Sequence, residues 1–274
     1  MSIHRERISN ISLMAMFVIF VGTVIAVQLT TVYMSLGLAL ILCMIHLLKP
    51  VSHGVRDVSL LSVLYLLGYW LFVCLNLFIK EYLNQLGLQR ELIISCSRLS
   101  LIGYIIPFLF FTRINKMTIN YMKMGNFTET IYFPLIWHGV KDPIWRFLLI
   151  ASGTVIVSFS FVIDFSQDNI VPLLWVGILF ALINSVLEEI LWRGLILSRF
   201  VDELGEKWGL VVVSIGFGMY HYSIGFPWSV CALFSVFGML LGGITIRSKG
   251  LLPVMILHFI MNILFVFSGL IFNM

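Results

Sequence analysis

Charged side chains are scarce in this chain of 274 residues. Asp, Glu, Lys and Arg together make up 11% of it, against about 25% in an ordinary soluble domain. Apolar residues account for 60%, and a water-soluble domain of this size cannot cover its surface with so few polar groups. The composition therefore excludes a soluble fold and indicates that lipid surrounds most of the chain.

The chain also has few cysteines and no cysteine spacing typical of a metal or disulfide framework. Cys43, Cys74, Cys96 and Cys231 lie in or beside apolar runs, with no C-x-x-C pair. We expect them to be buried thiols. The net charge of +4 is small and gives no reason to expect a nucleic-acid partner.

Long apolar runs are abundant, and about nine of them are long enough to cross a bilayer as helices. The sequence therefore predicts an all-α polytopic membrane protein, a bundle of about nine (seven to nine) transmembrane helices. Residues 1–10 are polar, and the next run lacks a small-residue cleavage site, so we expect the first span to be retained. The predicted spans are 11–29, 32–48, 58–79, 92–111, 144–163, 170–200, 210–224, 228–246 and 251–272.

Lys and Arg residues set the expected orientation, because cytoplasmic loops retain positive charge. With the N-terminus inside and nine crossings, only Lys80 and Arg90 fall in outer loops. Arg98 and Arg193 lie within spans, and the C-terminus lies outside. We expect Arg98 to extend towards the outer interface; the alternative is that it binds a substrate carboxylate.

The longest polar stretch divides the chain into three predicted regions. Residues 1–112 form a membrane-spanning region of about four helices with no assigned role. Residues 113–143 form a polar cytoplasmic connector, and residues 144–274 form the second membrane region.

Ionisable residues inside the predicted spans of this second region point to function, because each costs about 2.5–3.5 kcal/mol to insert when it is unpaired. Glu188, Glu189 and Arg193 share the sixth span. Residues four apart share a helix face, so Glu189 is expected to pair with Arg193. No such partner within the span exists for Glu188, and we therefore predict that it has a functional role.

Two later spans bring further polar groups to a similar depth. His221 lies in the seventh span, one turn after Phe217, and the ninth span carries His258 and Asn262 four residues apart. Counted along each helix from its cytoplasmic end, Glu188, His221, His258 and Asn262 all lie about 13–21 Å deep. Three helices can therefore bring these four side chains together.

These side chains suit hydrolysis of an amide. A carboxylate among apolar helices can act as a general base that takes a proton from water. A neighbouring imidazole can hold that water, while His and Asn can donate hydrogen bonds to the oxyanion of the tetrahedral intermediate, each contributing about 3–4 kcal/mol. The set requires no serine or cysteine nucleophile.

The same residues resemble a known family, the CAAX-protease and bacteriocin-processing membrane proteins, which are related to the Ras-converting CAAX endopeptidase. Its three motifs are E-E-x-x-x-R, F-x-x-x-H and H-x-x-x-N/D. They occur here in that order, within a resemblance that covers roughly 144–272, as Glu188-Glu189 with Arg193, Phe217 with His221, and His258 with Asn262.

The resemblance implies a membrane-embedded glutamate-dependent endopeptidase whose catalytic core is residues 144–274. It implies that Glu188 is the catalytic base, His221 positions the water, and His258 with Asn262 forms the oxyanion hole. Glu189 and Arg193 would be a supporting pair, and Phe217 would shape the site. No cofactor or metal is implied, and the location that the resemblance implies is the bacterial cell membrane. The expected partners are the bilayer and a membrane-associated peptide or protein, such as a prenylated tail, a bacteriocin leader or a pheromone precursor.

Two alternatives stay open. Glu188, His221 and His258 could also bind zinc, which would give a metal-dependent version of the same protease. The second alternative is a non-catalytic membrane protein that binds a peptide, for immunity or as a scaffold. Other membrane-protease classes are excluded, because the chain has no H-E-x-x-H, G-x-G-D or G-x-S-x-G motif.

Overall fold

The computed structural model describes residues 9–134, 136–166 and 170–272, and these are almost entirely helical. Arg5 and Arg7, which the predicted orientation places on the cytoplasmic side, lie outside the described residues. The ten α-helices of the described part, numbered α1 to α10, are Asn10–Leu29, Val32–Leu47, His53–Gln85, Arg90–Ser97, Ile102–Ile114, Ile144–Ser160, Ile170–Glu189, Leu197–Tyr220, Trp228–Ser248 and Leu252–Phe267.

The helices confirm an all-α membrane protein. In the described residues, five helical stretches are long and apolar enough to cross a bilayer, and three apolar helices are shorter: α2, α6 and α10. One long stretch is Arg90–Ile114, in which a 3₁₀ turn, Arg98–Leu101, joins α4 to α5. Another is Ile170–Ile224, which covers the sixth and seventh predicted spans.

A glycine separates those two spans at the predicted place. Gly205, inside α8, has φ 77° and ψ 168°, a conformation that is open to glycine but strained for other residues. The helix direction changes there. A Cβ on Gly209 would lie only 2.9 Å from the Phe200 carbonyl carbon, so the two arms of this turn are in close contact.

The helices divide into two compact units, which we describe separately. Unit 1 is Met1–Tyr69 with Ile196–Met239, and unit 2 is Trp70–Leu195 with Leu240–Met274. In unit 1, α1 packs against α8. In unit 2, α7 packs against α10 and α4, and α10 also packs against α6.

The predicted polar connector contains a small antiparallel hairpin in unit 2. Strand β1 is Thr130–Pro134 and strand β2 is Gly139–Pro143, with Thr130 opposite Pro143. The hairpin and the segment before it contact the turn between α9 and α10: Arg247 Nε donates to Thr130 O at 2.7 Å, and Asn126 N donates to Ser248 O. The connector is therefore folded onto the helices, which polarity alone did not predict.

The expectation of four buried thiols is wrong for two of them. Cys43 and Cys74 are exposed on α2 and α3, whereas Cys231 is buried and Cys96 is half-buried. An exposed thiol on an apolar helix faces lipid rather than protein, and a run of apolar residues does not distinguish the two environments.

Candidate active site

The two adjacent glutamates lie at the C-terminal end of α7, where the helical geometry changes. Residues Ile190–Ile196 form a π-helix between α7 and α8. A π-helical turn shifts the register of the side chains that follow it and occurs often at functional sites. Glu188 and Glu189 are 1% and 0% exposed, so both carboxylates lie inside the protein.

Glu189 forms the expected ion pair and also contacts a histidine. Arg193 Nη1 donates to Glu189 Oε1 at 3.1 Å. The same oxygen lies 2.6 Å from His258 Nδ1, on α10. Because a carboxylate oxygen of Glu189 can only accept here, Nδ1 of His258 carries the hydrogen. Glu189 therefore joins two of the motifs and fixes the orientation of the imidazole ring.

Glu188 contacts a residue of a different helical stretch. Arg98 Nη2 donates to Glu188 Oε1 at 2.6 Å, and Arg98 Nε donates to Asn184 Oδ1 at 2.6 Å. The other oxygen, Glu188 Oε2, lies 3.6 Å from His258 Nε2. Arg98 belongs to the stretch Arg90–Ile114 and Glu188 to α7, so residue spacing within one span does not indicate this pair.

Arg98 corrects a second expectation. Its side chain does not extend to the interface, because it is 9% exposed and points towards Asn184 and Glu188. Pairing with a buried carboxylate stabilises the guanidinium, because each charge removes the cost of burying the other in isolation. Two glutamates and two arginines thus balance one another in unit 2.

Asn262 lies one turn beyond His258 on α10, 3% exposed. Its Nδ2 atom is buried and has no hydrogen-bond partner among the described residues. A buried amide without an acceptor costs about 1–3 kcal/mol. Such a donor suits a ligand oxygen that the protein itself does not supply.

His221 and Phe217 belong to unit 1. His221 begins a 3₁₀ turn, His221–Ile224, directly after α8, and its Nδ1 lies 2.8 Å from Phe217 O. A carbonyl oxygen accepts, so Nδ1 carries the hydrogen and the neutral ring keeps its lone pair on Nε2. The ring also packs against Phe217 and Phe234, with centroids 4.8 and 4.5 Å away.

Phe217 is in close contact with α9. It is 1% exposed, and a Cβ on Gly238 of α9 would lie 3.0 Å from its ring. A larger residue at Gly238 would displace Phe217 and with it the carbonyl that orients His221.

A group of side chains that could hold a metal occurs elsewhere in unit 1. Within the described part of the chain, His53, Asp57 and Glu203 place one ligand atom each within 4.8 Å of one another. His53 Nδ1 lies 2.8 Å from Asp57 Oδ2, and the histidine side chain is 83% exposed. None of the three belongs to the motifs.

A cavity of about 580 Å³ opens at the other end of α7 and α10, among Pro172, Val176, Val266 and Phe272. The motif residues do not line it. The carboxylates of Glu188 and Glu189 are buried instead.

Residues 170–264 match the protein-family model described as Rce1-like, type II CAAX prenyl endopeptidase Rce1-like. Because these residues are similar to that family, we call them the Rce1-like segment. It contains all seven motif residues and covers about a third of the chain, which agrees with the resemblance noted from the sequence.

The Rce1-like segment excludes Arg98, although Arg98 contacts Glu188 within it. No curated protein matches the chain, and no solved structure matches it.

Sequence reasoning missed two residues of the cluster in unit 2, Arg98 and Asn184. Each left a signal. Asn184 lies four residues before Glu188 and therefore on the same helix face. Arg98 is the one basic residue inside the apolar run 92–111, and a charge in that position calls for a buried partner.

Proposed function

We propose that the chain is an intramembrane endopeptidase that cleaves a membrane-associated peptide with a water activated by Glu188. The observation that supports this most directly is the arrangement around Glu188 in the Rce1-like segment. Its Oε2 atom faces His258 Nε2 at 3.6 Å, and a buried donor without an acceptor, Asn262 Nδ2, lies one turn along α10. These are a base and two candidate donors for an oxyanion.

The reaction we propose has two proton transfers. Glu188 takes a proton from water as the oxygen adds to the carbonyl carbon of the scissile amide. His258 and Asn262 donate hydrogen bonds to the oxyanion that forms. Glu188 then gives the proton to the amide nitrogen, the C–N bond breaks, and a carboxylic acid and an amine leave.

His221 is proposed to hold the attacking water. Its Nδ1 hydrogen is used by Phe217 O, so the neutral ring offers Nε2 as an acceptor for a water hydrogen. This assignment comes from its place in the F-x-x-x-H motif and from that tautomer.

The proposed role of His258 sets a condition on its protonation. Nδ1 already donates to Glu189, so donation from Nε2 to an oxyanion requires hydrogens on both ring nitrogens. Carboxylates of Glu188 and Glu189 flank the ring. The supporting role that we propose for Glu189 is therefore to hold and orient this histidine, with Arg193 as its counter-ion.

The proposed substrate is a peptide or protein already at the membrane. The family description names CAAX prenyl endopeptidases, which favours a prenylated C-terminal tail. A bacteriocin leader and a pheromone precursor are further candidates of the same class.

The test compares cells that express the unchanged protein with cells that express Glu188→Gln. Peptide mass spectrometry of their membranes reports the cleaved bond directly. We expect Glu188-dependent products, lost in Glu188→Gln although the variant is inserted and folded. Glu81→Gln, an exposed acid on α3, is the matched control and should process normally. Identical peptide profiles for the unchanged protein and Glu188→Gln would contradict the proposal.

One observation favours a second candidate, a non-catalytic peptide-binding protein for immunity or scaffolding. Glu188 is ion-paired with Arg98, and a closed charge cluster can serve structure alone. Full biological effect of Glu188→Gln, with no change in any peptide, would favour this candidate.

Metal analysis of the purified protein, with cleavage measured after chelation, distinguishes a zinc-dependent protease from the metal-free one that we propose. Purified protein stripped with a strong chelator should retain full cleavage under our proposal. Loss of cleavage that Zn²⁺ restores would instead assign a metal to the site.

A further inference from the structure

Arg98 is a buried cation that comes from outside the Rce1-like segment. It begins the 3₁₀ turn Arg98–Leu101 between α4 and α5, more than 70 residues before the matched region starts. A charge at this depth persists only when it is paired or used, and none of the three motifs includes it.

The guanidinium contacts two residues of α7 that lie one turn apart. Its Nε donates to Asn184 Oδ1 and its Nη2 to Glu188 Oε1, each at 2.6 Å. Two such contacts through different nitrogens fix both the position and the plane of the guanidinium. Asn184 therefore orients Arg98, and Arg98 in turn holds one defined oxygen of Glu188.

This contact makes the two carboxylate oxygens of Glu188 different. Oε1 accepts from Arg98, whereas Oε2 faces His258 Nε2 at 3.6 Å. A general base must present one oxygen within hydrogen-bond reach of the proton it removes. Rotation of an unrestrained carboxylate would average the two oxygens, and the contact with Arg98 prevents this.

The turn that carries Arg98 is itself held in place. Asn76 of α3 donates through Nδ2 to Ser100 Oγ at 3.1 Å, and Ser100 Oγ donates to Ser97 O at 2.6 Å. These bonds support the 3₁₀ geometry on both sides of Arg98. The position of the guanidinium is therefore built into unit 2 by α3 and α7.

We propose that Arg98, oriented by Asn184, is a positioning residue that fixes the carboxylate of Glu188 so that Oε2 acts as the base. The proposal rests on the proposed function, since it assigns Arg98 a task in that reaction. It extends the functional unit beyond residues 170–264 to the span Arg90–Ile114.

The test measures kcat and KM of purified full-length protein in liposomes. The probe is an internally quenched farnesylated peptide that ends in a CAAX sequence. We expect Arg98→Met to lower kcat about 100-fold, the cost of a catalytic group misplaced by about 1 Å, with KM within about threefold. Arg98→Lys keeps the charge, and its kcat should be about tenfold higher than that of Arg98→Met. Arg113→Met, an exposed arginine of α5, is the matched control and should leave both constants unchanged.

Thermal unfolding of the same samples provides a reading that does not need catalysis. Arg98→Met removes the cation that contacts Oε1 of the buried Glu188 carboxylate, so its Tm should fall. The double variant Arg98→Met with Glu188→Gln removes both charges, and its Tm should recover towards that of the unchanged protein. If Arg98→Met gives too little folded protein, Asn184→Leu supplies the kinetic reading, with a fall in kcat of about tenfold.

The outcomes separate this inference from the proposed function. Cleavage of the probe by Glu188→Gln at the rate of the unchanged protein overturns both. An inactive Glu188→Gln with full kcat in Arg98→Met overturns the positioning role alone. A raised KM with unchanged kcat in Arg98→Met also overturns it, and would assign Arg98 to substrate binding.

Discussion

Two apolar stretches of unit 2 contribute to the same charge cluster in different ways. Ile170–Glu189 and the π-helix after it carry Glu188, Glu189 and Arg193 within six residues, so spacing alone shows that they belong together. Arg90–Ile114 carries a single buried basic residue, Arg98, whose partner lies on another helix. The comparison teaches that a motif defines the acidic half of this cluster, while packing of a separate span supplies the charge that balances it.

The largest effect should come from the motif-bearing stretch. Glu189→Ala leaves Arg193 buried without its counter-ion and removes the acceptor of His258 Nδ1. Removing one partner of a buried pair costs about 3–5 kcal/mol. We expect a low yield of folded protein and a strongly reduced Tm in detergent. Asp142→Ala, which breaks the more exposed pair with Arg146 at the start of α6, is the control and should leave Tm nearly unchanged. Equal Tm values for the two variants would contradict a structural role for Glu189.

The difference between the two stretches also explains how much the sequence could predict. The helical class, the break near Gly205 and the Glu189–Arg193 pair all follow from local patterns, and each is present. The Arg98–Glu188 pair depends on which faces of α4 and α7 meet. Which faces meet is a property of the packed helices, and spacing within the stretch that carries Arg98 does not show it.

The folding of the connector and the exposure of the thiols likewise depend on contacts that local sequence patterns do not indicate. The segment before the hairpin β1–β2 contacts the end of α9 and the turn after it through backbone hydrogen bonds of Lys123, Met124 and Asn126, which residue types do not encode. Exposure of Cys43 and Cys74 depends on whether a helix face meets lipid or protein, and both environments favour the same residues. The roles of the seven motif residues stay predictions.

Asn262→Ala tests the proposed oxyanion donor, a group that should matter for catalysis and little for stability. Because Nδ2 has no partner in the described protein, its removal costs little stability. Loss of one oxyanion donor should lower kcat about 10²–10³-fold, with KM of the quenched farnesylated peptide nearly unchanged. Asn115→Ala, an exposed residue after α5, is the control. A fall in Tm as large as that of Glu189→Ala, with kcat retained, would make Asn262 a packing residue.

Two glycines, Gly103 and Gly177, lie where the two stretches pack against neighbouring helices, and alanine at each position measures how tight that packing is. A Cβ on Gly103 of α5 would lie 2.5 Å from Phe72 N and 2.7 Å from Leu71 C on α3, whereas a Cβ on Gly177 of α7 would lie 3.1 Å from Val266 Cγ1 on α10. Backbone cannot move aside as a side chain can. We expect Gly103→Ala to destabilise by about 1–3 kcal/mol and Gly177→Ala to be near neutral, because alanine favours the helix by about 1 kcal/mol. Chemical or thermal unfolding in detergent measures both, and the reverse order would show that α7 and α10 form the tighter contact.

The smallest effect should come from the support of the Arg98 turn. Asn76→Ala removes the donor to Ser100 Oγ, but Ser100 can still donate to Ser97 O, so the turn keeps one of its bonds. We expect a loss of about 1 kcal/mol in the free energy of unfolding, the usual contribution of one hydrogen bond, and an unchanged kcat, because both contacts of Arg98 to α7 persist. Ser158→Ala on exposed α6, which removes a bond to Thr154 O, is the control for loss of a side-chain hydrogen bond. If Asn76→Ala lowered kcat as far as Arg98→Met does, α3 would have to be counted with α4 and α7 among the elements that hold the base.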